Sequence, residues 1–138
     1  MNCYVDASVL LRVILGQPEV LHEWRTIERG VGSALVEVEC LRTIDRLRHQ
    51  SRTSPEAIAS RMGAVFDLTA MLEVVAVSGA ILNQAAQALP TPLGTLDAIH
   101  LATARAWRDA HQADLVFATH DRALAAAARA SGFQTIGT

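Results

Sequence analysis

Short β-branched runs alternate with segments of helical period along the whole chain, and this alternation restricts the fold more than any other feature. "NCYVD" at residues 2–6, a very short extended piece bracketed by Gly30 and Gly32, "LEVVAV" at 72–77, "LVFAT" at 115–119 and "QTIG" at 134–137 read as strands. Helices are predicted over 7–15, from Pro18 to about Arg29, and from Ala34 to about His49 with Ala34, Val38, Leu41 and Ile44 on its apolar stripe. Further helices run from Pro55 (capped by Ser54) to about Ala70, from the Ser78 cap to before Pro90, from about Leu96 to Gln112, and from about Asp121 to Ser131. Strands joined by helical crossovers run parallel and bury both faces. The expected architecture is a three-layer α/β/α domain with a central parallel sheet of about four to five strands, one domain over residues 1–138.

Composition agrees with such a core. Apolar residues make up 51% of the chain, enough for a buried interior without disulfides or metal staples. Cys3 and Cys40 both fall in core elements and read as reduced thiols, which implies a cytoplasmic setting. No apolar run approaches the roughly 18 residues of a membrane span, and no secretory leader is read at the start. A net charge of −2 argues against a cation-coated nucleic-acid binder. All 12 basic residues are arginine, which suits bidentate phosphate contacts, but codon usage in a GC-rich genome is the favoured explanation and the arginines support a nucleic-acid reading only weakly.

In a parallel α/β sheet the strand C-termini and the following helix starts face one crevice. Asp6 ends the first strand, Glu39 lies in the first turns of the helix after "VGS", Asp97 begins a long helix, and Asp121 follows "LVFAT" with His120 between. Singly, each has a structural explanation: a helix cap for the aspartates, an ion pair with Arg42 for Glu39. Together, carboxylates around one pocket repel unless a cation joins them. Hard oxygen donors without cysteine or histidine favour Mg²⁺ or Mn²⁺, ions that serve phosphoryl chemistry. Glu37 lies on the side of Leu41 and Ile44, and Asp114 sits at the wrong end of its strand. Ser8 is read as the cap of the first helix. Glu39, Arg42, Arg46 and His49 step along one stripe, either a guide for an RNA backbone or a solvated face with internal ion pairs. His100 and His120 are expected behind the site or in structural roles, and Trp24 and Trp107 in packing. "GVGSAL" lacks the glycine and lysine of a phosphate loop.

"YVDASVLL", "SALVEVECLR", "LDAIHLATA" and "VFATHDRALAAAARASGF" resemble, in this order, the motif regions of PIN-domain ribonucleases, most closely the VapC toxins of bacterial toxin–antitoxin pairs. The resemblance implies that Asp6, Glu39, Asp97 and Asp121 hold Mg²⁺, with Mn²⁺ as a substitute, and that Thr119 is the accompanying hydroxyl. It implies an endoribonuclease that leaves a 5′-phosphate and a 3′-hydroxyl, with Arg42 following the motif glutamate; the helix stripe is what would turn Arg42 and Arg46 toward the RNA. It further implies a homodimer and a small VapB-like antitoxin, assembled as a heterotetramer or larger, with no membrane partner. The alternatives are a structure-specific DNase or other phosphoesterase on the same fold, and a catalytically inactive metal-binding interaction module.

Overall fold

The computed structural model describes residues 1–138. Its elements are β1 (Asn2–Val5), α1 (Ala7–Ile14), a 3₁₀ turn (His22–Thr26), β2 (Arg29–Ser33), α2 (Leu35–Gln50), α3 (Pro55–Ala70), β3 (Glu73–Val75), α4 (Gly79–Ala85), α5 (Thr95–His111), β4 (Val116–Ala118), α6 (Arg122–Ala130) and β5 (Gln134–Ile136). The five strands form one sheet in the order β3-β2-β1-β4-β5, and every pairing is parallel. This is the α/β architecture expected from the alternation.

The pleat of β1 divides the core. Cys3 and Val5 face the layer built by α1, α2 and α3, where Val9, Leu10, Val36, Cys40, Ile44 and Val65 surround them. Tyr4 faces the opposite layer with Leu101, Ala104 and Trp107 of α5 and Leu124, Ala127 and Ala128 of α6. Alanines on both helices let them lie close to the sheet. Tyr4 stacks on Phe117 with ring centroids 4.9 Å apart. Fully burying a large aliphatic or aromatic side chain contributes about 1.5–3 kcal/mol, so these strands hold their register through side chains on both faces.

Strand order reverses its direction of growth between β1 and β4. Strands β1 to β3 are laid down outward on one side, and β4 and β5 on the other. A ligand crevice opens at such a switch point, beyond the C-terminal ends of the two central strands.

The helix predicted from the Ser78 cap to before Pro90 ends early, at Ala85, and two larger expectations fail. The helix predicted from Pro18 to Arg29 is replaced by the short 3₁₀ turn, and β2 begins already at Arg29. Leu21, just before that turn, Trp24 within it and Ile27, extended just after it, all dock on the core layer that contains α1, α2 and α3. The buried stripe of α2 is Val36, Cys40 and Ile44, whereas Ala34 is exposed and Val38 is 58% exposed. The stripe that meets β1, α1 and α3 is therefore offset from the predicted one, and Val38 is turned toward the crevice.

Candidate active site

Asp6 directly follows β1, Asp121 lies three residues beyond the end of β4, and each caps the next helix. Asp6 accepts the Val9 backbone N–H at 3.2 Å, and Asp121 accepts that of Leu124 at 2.9 Å. Capping and site placement coincide, because a helix N-terminus at a strand end already points into the crevice. Asp97 lies in the first turn of α5 but does not cap it; that position is Gly94, and no hydrogen bond is made by the Asp97 carboxylate. Glu39 reaches the same place from α2. Asp6, Glu39, Asp97 and Asp121 line one cleft of about 370 Å³, together with Ser8, His100, Arg42 and Arg46. A larger hollow of about 530 Å³ between α4 and the start of α5 contains no titratable side chain, so chemistry is assigned to the smaller cleft.

The turns after β1 and β4 are interlocked by two hydroxyls. Thr119 donates to Asp6 Oδ2 at 2.6 Å and accepts the Asp121 N–H at 3.0 Å. Ser8 donates to Asp6 Oδ1 at 2.6 Å and accepts the His120 N–H at 2.9 Å. Ser8 is therefore not the cap of α1; Asp6 holds that position and Ser8 supports it. Thr119 is fully buried behind Asp6 and is not part of the cleft lining. His120 turns away, bonding the Gly137 carbonyl through Nδ1 at 2.7 Å.

Burial raises the pKa of Asp6, opposed by the Ser8 and Thr119 hydrogen bonds and by His100. Burial also raises that of Asp97, and the charges of Asp121, Asp6 and Glu39 push it in the same direction. Like charges thus converge as expected, although no three His, Cys, Asp or Glu side chains stand close enough to grip an ion as they lie. Asp6 is held by the turn hydroxyls and one oxygen of Glu39 by His100. Oxygens remain: Asp97 is unbonded, and Asp121 and Glu39 each use only one of two. An all-oxygen donor set in which Asp97 feels the charges of the other three carboxylates fits a hard divalent cation.

The arginines occupy the wall. Arg42 bonds Asp45 at 3.0 Å and Arg46 bonds Thr43 at 3.1 Å, both from exposed positions along the cleft. His49, predicted on the same stripe, lies by Asp45 instead. Glu37 is directed at Thr69 of α3, and Asp114 lies at the opposite end of the sheet beside Asn2.

Sequence reasoning missed the group behind Glu39. The Tyr4 hydroxyl is 2.7 Å from His100 Nδ1, and His100 Nε2 is 2.5 Å from Glu39 Oε1. Burial keeps the Tyr4 pKa well above its ordinary value, so the phenol retains its proton. Two signals were present: Tyr4 stands two residues before Asp6, on the same side of the pleat, and His100 follows Asp97 by about one helical turn.

A family model described as PIN domain matches residues 3–130. Ribonuclease VapC47 of Mycobacterium tuberculosis (strain CDC 1551 / Oshkosh) is 30% identical over 139 residues, covering 96% of this chain and 93% of that protein. Ribonuclease VapC46 of the same species (strain ATCC 25618 / H37Rv) is 32% identical over 106 residues, covering 74% of this chain and 73% of its own. Among solved structures, that of VapBC-1 from nontypeable Haemophilus influenzae superposes with a TM-score of 0.62 at 15% identity, covering 98% of this chain and 96% of that one, a likeness of fold.

Proposed function

This chain belongs to the PIN-domain family, and from that premise we propose that it is a VapC-type endoribonuclease, the toxin of a VapBC-like toxin–antitoxin pair. We read residues 1–138 as one PIN-like domain. The observation that carries the reading is the convergence of Asp6, Glu39, Asp97 and Asp121 on one cleft at the switch point of the sheet. The two M. tuberculosis relatives are named ribonucleases, and the VapBC-1 structure bears the name of a toxin–antitoxin pair.

Asp6, Glu39, Asp97 and Asp121 would hold Mg²⁺, or Mn²⁺ in its place. When bound, such an ion supplies a water of lowered pKa and neutralises charge on the scissile phosphate. Ser8 and Thr119 hold Asp6 in place through its two oxygens. Arg42 and Arg46 receive the RNA backbone along the cleft wall, with guanidinium N–H groups beyond those spent on Asp45 and Thr43. The exposed Val38 and Leu96 lie next to Glu39 and Asp97 and give the carboxylates an apolar border.

The antitoxin is read as a small VapB-like protein that covers this cleft, with the toxin as a homodimer in a heterotetramer or larger assembly. No helix is long and apolar enough to cross a membrane. Cys3 and Cys40 are free and buried, with thiol pKa values pushed up to about 12 by desolvation, as suits the reducing cytoplasm.

The test is cleavage of a single-stranded RNA by the purified protein. Products are expected with Mg²⁺ or Mn²⁺ and none with EDTA. Equal cleavage with EDTA, or a metal-replete protein that cuts DNA and leaves RNA intact, overturns the reading.

A further inference from the structure

We propose that Tyr4 and His100 are positioning residues for Glu39: a buried hydrogen-bond chain runs in one direction, from the Tyr4 hydroxyl through the His100 ring to the Glu39 carboxylate, and fixes which glutamate oxygen is presented to the cleft. The proposal rests on the reading of Glu39 as a metal-holding carboxylate.

The direction follows from donor and acceptor inventory. A carboxylate only accepts, so the His100 nitrogen 2.5 Å from Glu39 Oε1 carries the hydrogen. The buried Tyr4 hydroxyl makes its one hydrogen bond to Nδ1 at 2.7 Å, and a phenol that keeps its proton donates it there. Tyr4 is fully buried and His100 is 1% exposed, so water does not compete for either bond. Tyr4 cannot swing away, because it stacks on Phe117 and meets the His100 ring edge-on. Glu39 Oε1 is thereby committed and Oε2 is left for the cleft.

The chain also ties together three elements from distant parts of the sequence. Tyr4 stands on β1, His100 on α5 and Glu39 on α2. Those helices belong to opposite layers and meet only over the C-terminal edge of the sheet. Asp97 lies one turn before His100 on the same helix, so the bond that orients Glu39 also sets its place relative to Asp97.

The experiment combines a metal-free and a metal-loaded measurement on the full chain. Long-range ¹H–¹⁵N spectra of the metal-free wild type report which His100 nitrogen is protonated, and Nε2 is expected. Titration with Mn²⁺ then compares the wild type with Tyr4→Phe, which removes one oxygen and keeps the ring, with His100→Leu, and with His100→Gln, which keeps an N–H near the Nε2 position. Loss of an orienting partner of a ligand typically costs 10–100-fold in metal affinity or activity, so Tyr4→Phe and His100→Leu should bind Mn²⁺ at least about tenfold more weakly. Their kcat on RNA should fall with KM little changed, and His100→Gln should recover part of both losses. A proton on Nδ1, or Mn²⁺ affinity and kcat unchanged in folded Tyr4→Phe and His100→Leu, overturns the proposal. A wild type that neither binds Mn²⁺ nor cleaves RNA sinks the proposed function, while the ring proton by itself still decides the hydrogen-bond chain.

Discussion

The Thr119 hydroxyl stands 2.6 Å from Asp6 Oδ2 and closes a contact between residues 113 apart in sequence. Asp6 is 5% exposed, and its two oxygens are held by Thr119 on one side and by Ser8 and the Val9 N–H on the other. A buried carboxylate deprived of a donor costs more than the bond itself, because its desolvation is no longer offset. Thr119→Val keeps the shape and removes the donor. It should lower stability by about 1–3 kcal/mol and reduce cleavage. Urea unfolding read alongside cleavage checks this. Ser8→Ala acts on the same carboxylate, so the double variant should depart from additivity. Strict additivity would mean that the two hydroxyls do not share one network.

Asp6→Asn should abolish RNA cleavage with the fold intact. The amide oxygen can still accept the Val9 N–H, so the cap of α1 survives. What is lost is a negative oxygen facing the cleft. Far-UV circular dichroism together with a cleavage assay separates the two effects, and wild-type cleavage by this variant would remove Asp6 from the site.

Asp97 provides a pH test. Its folded-state pKa is raised above 3.8, first by burial and then by the charge of Asp121. A raised carboxylate pKa contributes stability that is present below the unfolded value and lost as pH rises through the folded one. Without metal, Asp97→Asn should therefore melt at or above the wild type at neutral pH, and the gap should close as pH falls toward about 3.8. Gly94, not Asp97, is the N-cap of α5, so no capping bond is sacrificed. Excess Mn²⁺ should reverse the order, because a ligand specific to the folded state stabilises by mass action and the variant binds it less well. Scans with EDTA and with Mn²⁺ provide the comparison, and an equal gain in both proteins would exclude Asp97 as a ligand.

Arg46→Ala should weaken RNA binding while leaving Mn²⁺ affinity as it is. Arg46 lines the cleft, and its side chain is engaged only by Thr43. One lost phosphate contact lowers the slope of log affinity against log salt by about one unit. Fluorescence anisotropy over a salt series measures it. An unchanged slope would return Arg46 to the solvated face.

Glu73→Gln probes the other end of the sheet. Glu73 accepts the Trp107 indole N–H at 2.9 Å and pairs with Arg29 at 2.6 Å. Its pKa is lowered, first by the Trp107 hydrogen bond and then by Arg29. A depressed carboxylate contributes stability that is present above the unfolded value, near 4.5, and lost as pH falls through the folded one. The variant should be less stable by about 0.2–1 kcal/mol at neutral pH, the range of partly exposed pairs, and the difference should vanish in acid. Cleavage should be unaffected, since the cluster lies away from the cleft.

The sequence by itself determined the layered parallel sheet and the positions of the four carboxylates along the chain. Both are local properties. Period-2 and period-3.6 patterns mark strands and helices, and an aspartate directly after a strand, as Asp6 is, lies at the crevice edge in any sheet of this kind. Tertiary structure decided the rest. The segment from Pro18 to Arg29 carries helix formers, yet Leu21, Trp24 and Ile27 dock on a core contributed by α1 and α2, and that burial outweighs the propensity of a short segment. The buried face of α2 is offset from the one its own pattern suggests, because α3 and β1 select Val36, Cys40 and Ile44. The bonds that orient the site join Thr119 to Asp6 across 113 residues, Tyr4 to His100 across 96 and His100 to Glu39 across 61. No local pattern encodes such pairs, since a hydrogen bond a few ångströms long forms only after the packing of whole layers has brought β1, α2, α5 and the turn after β4 to the same edge.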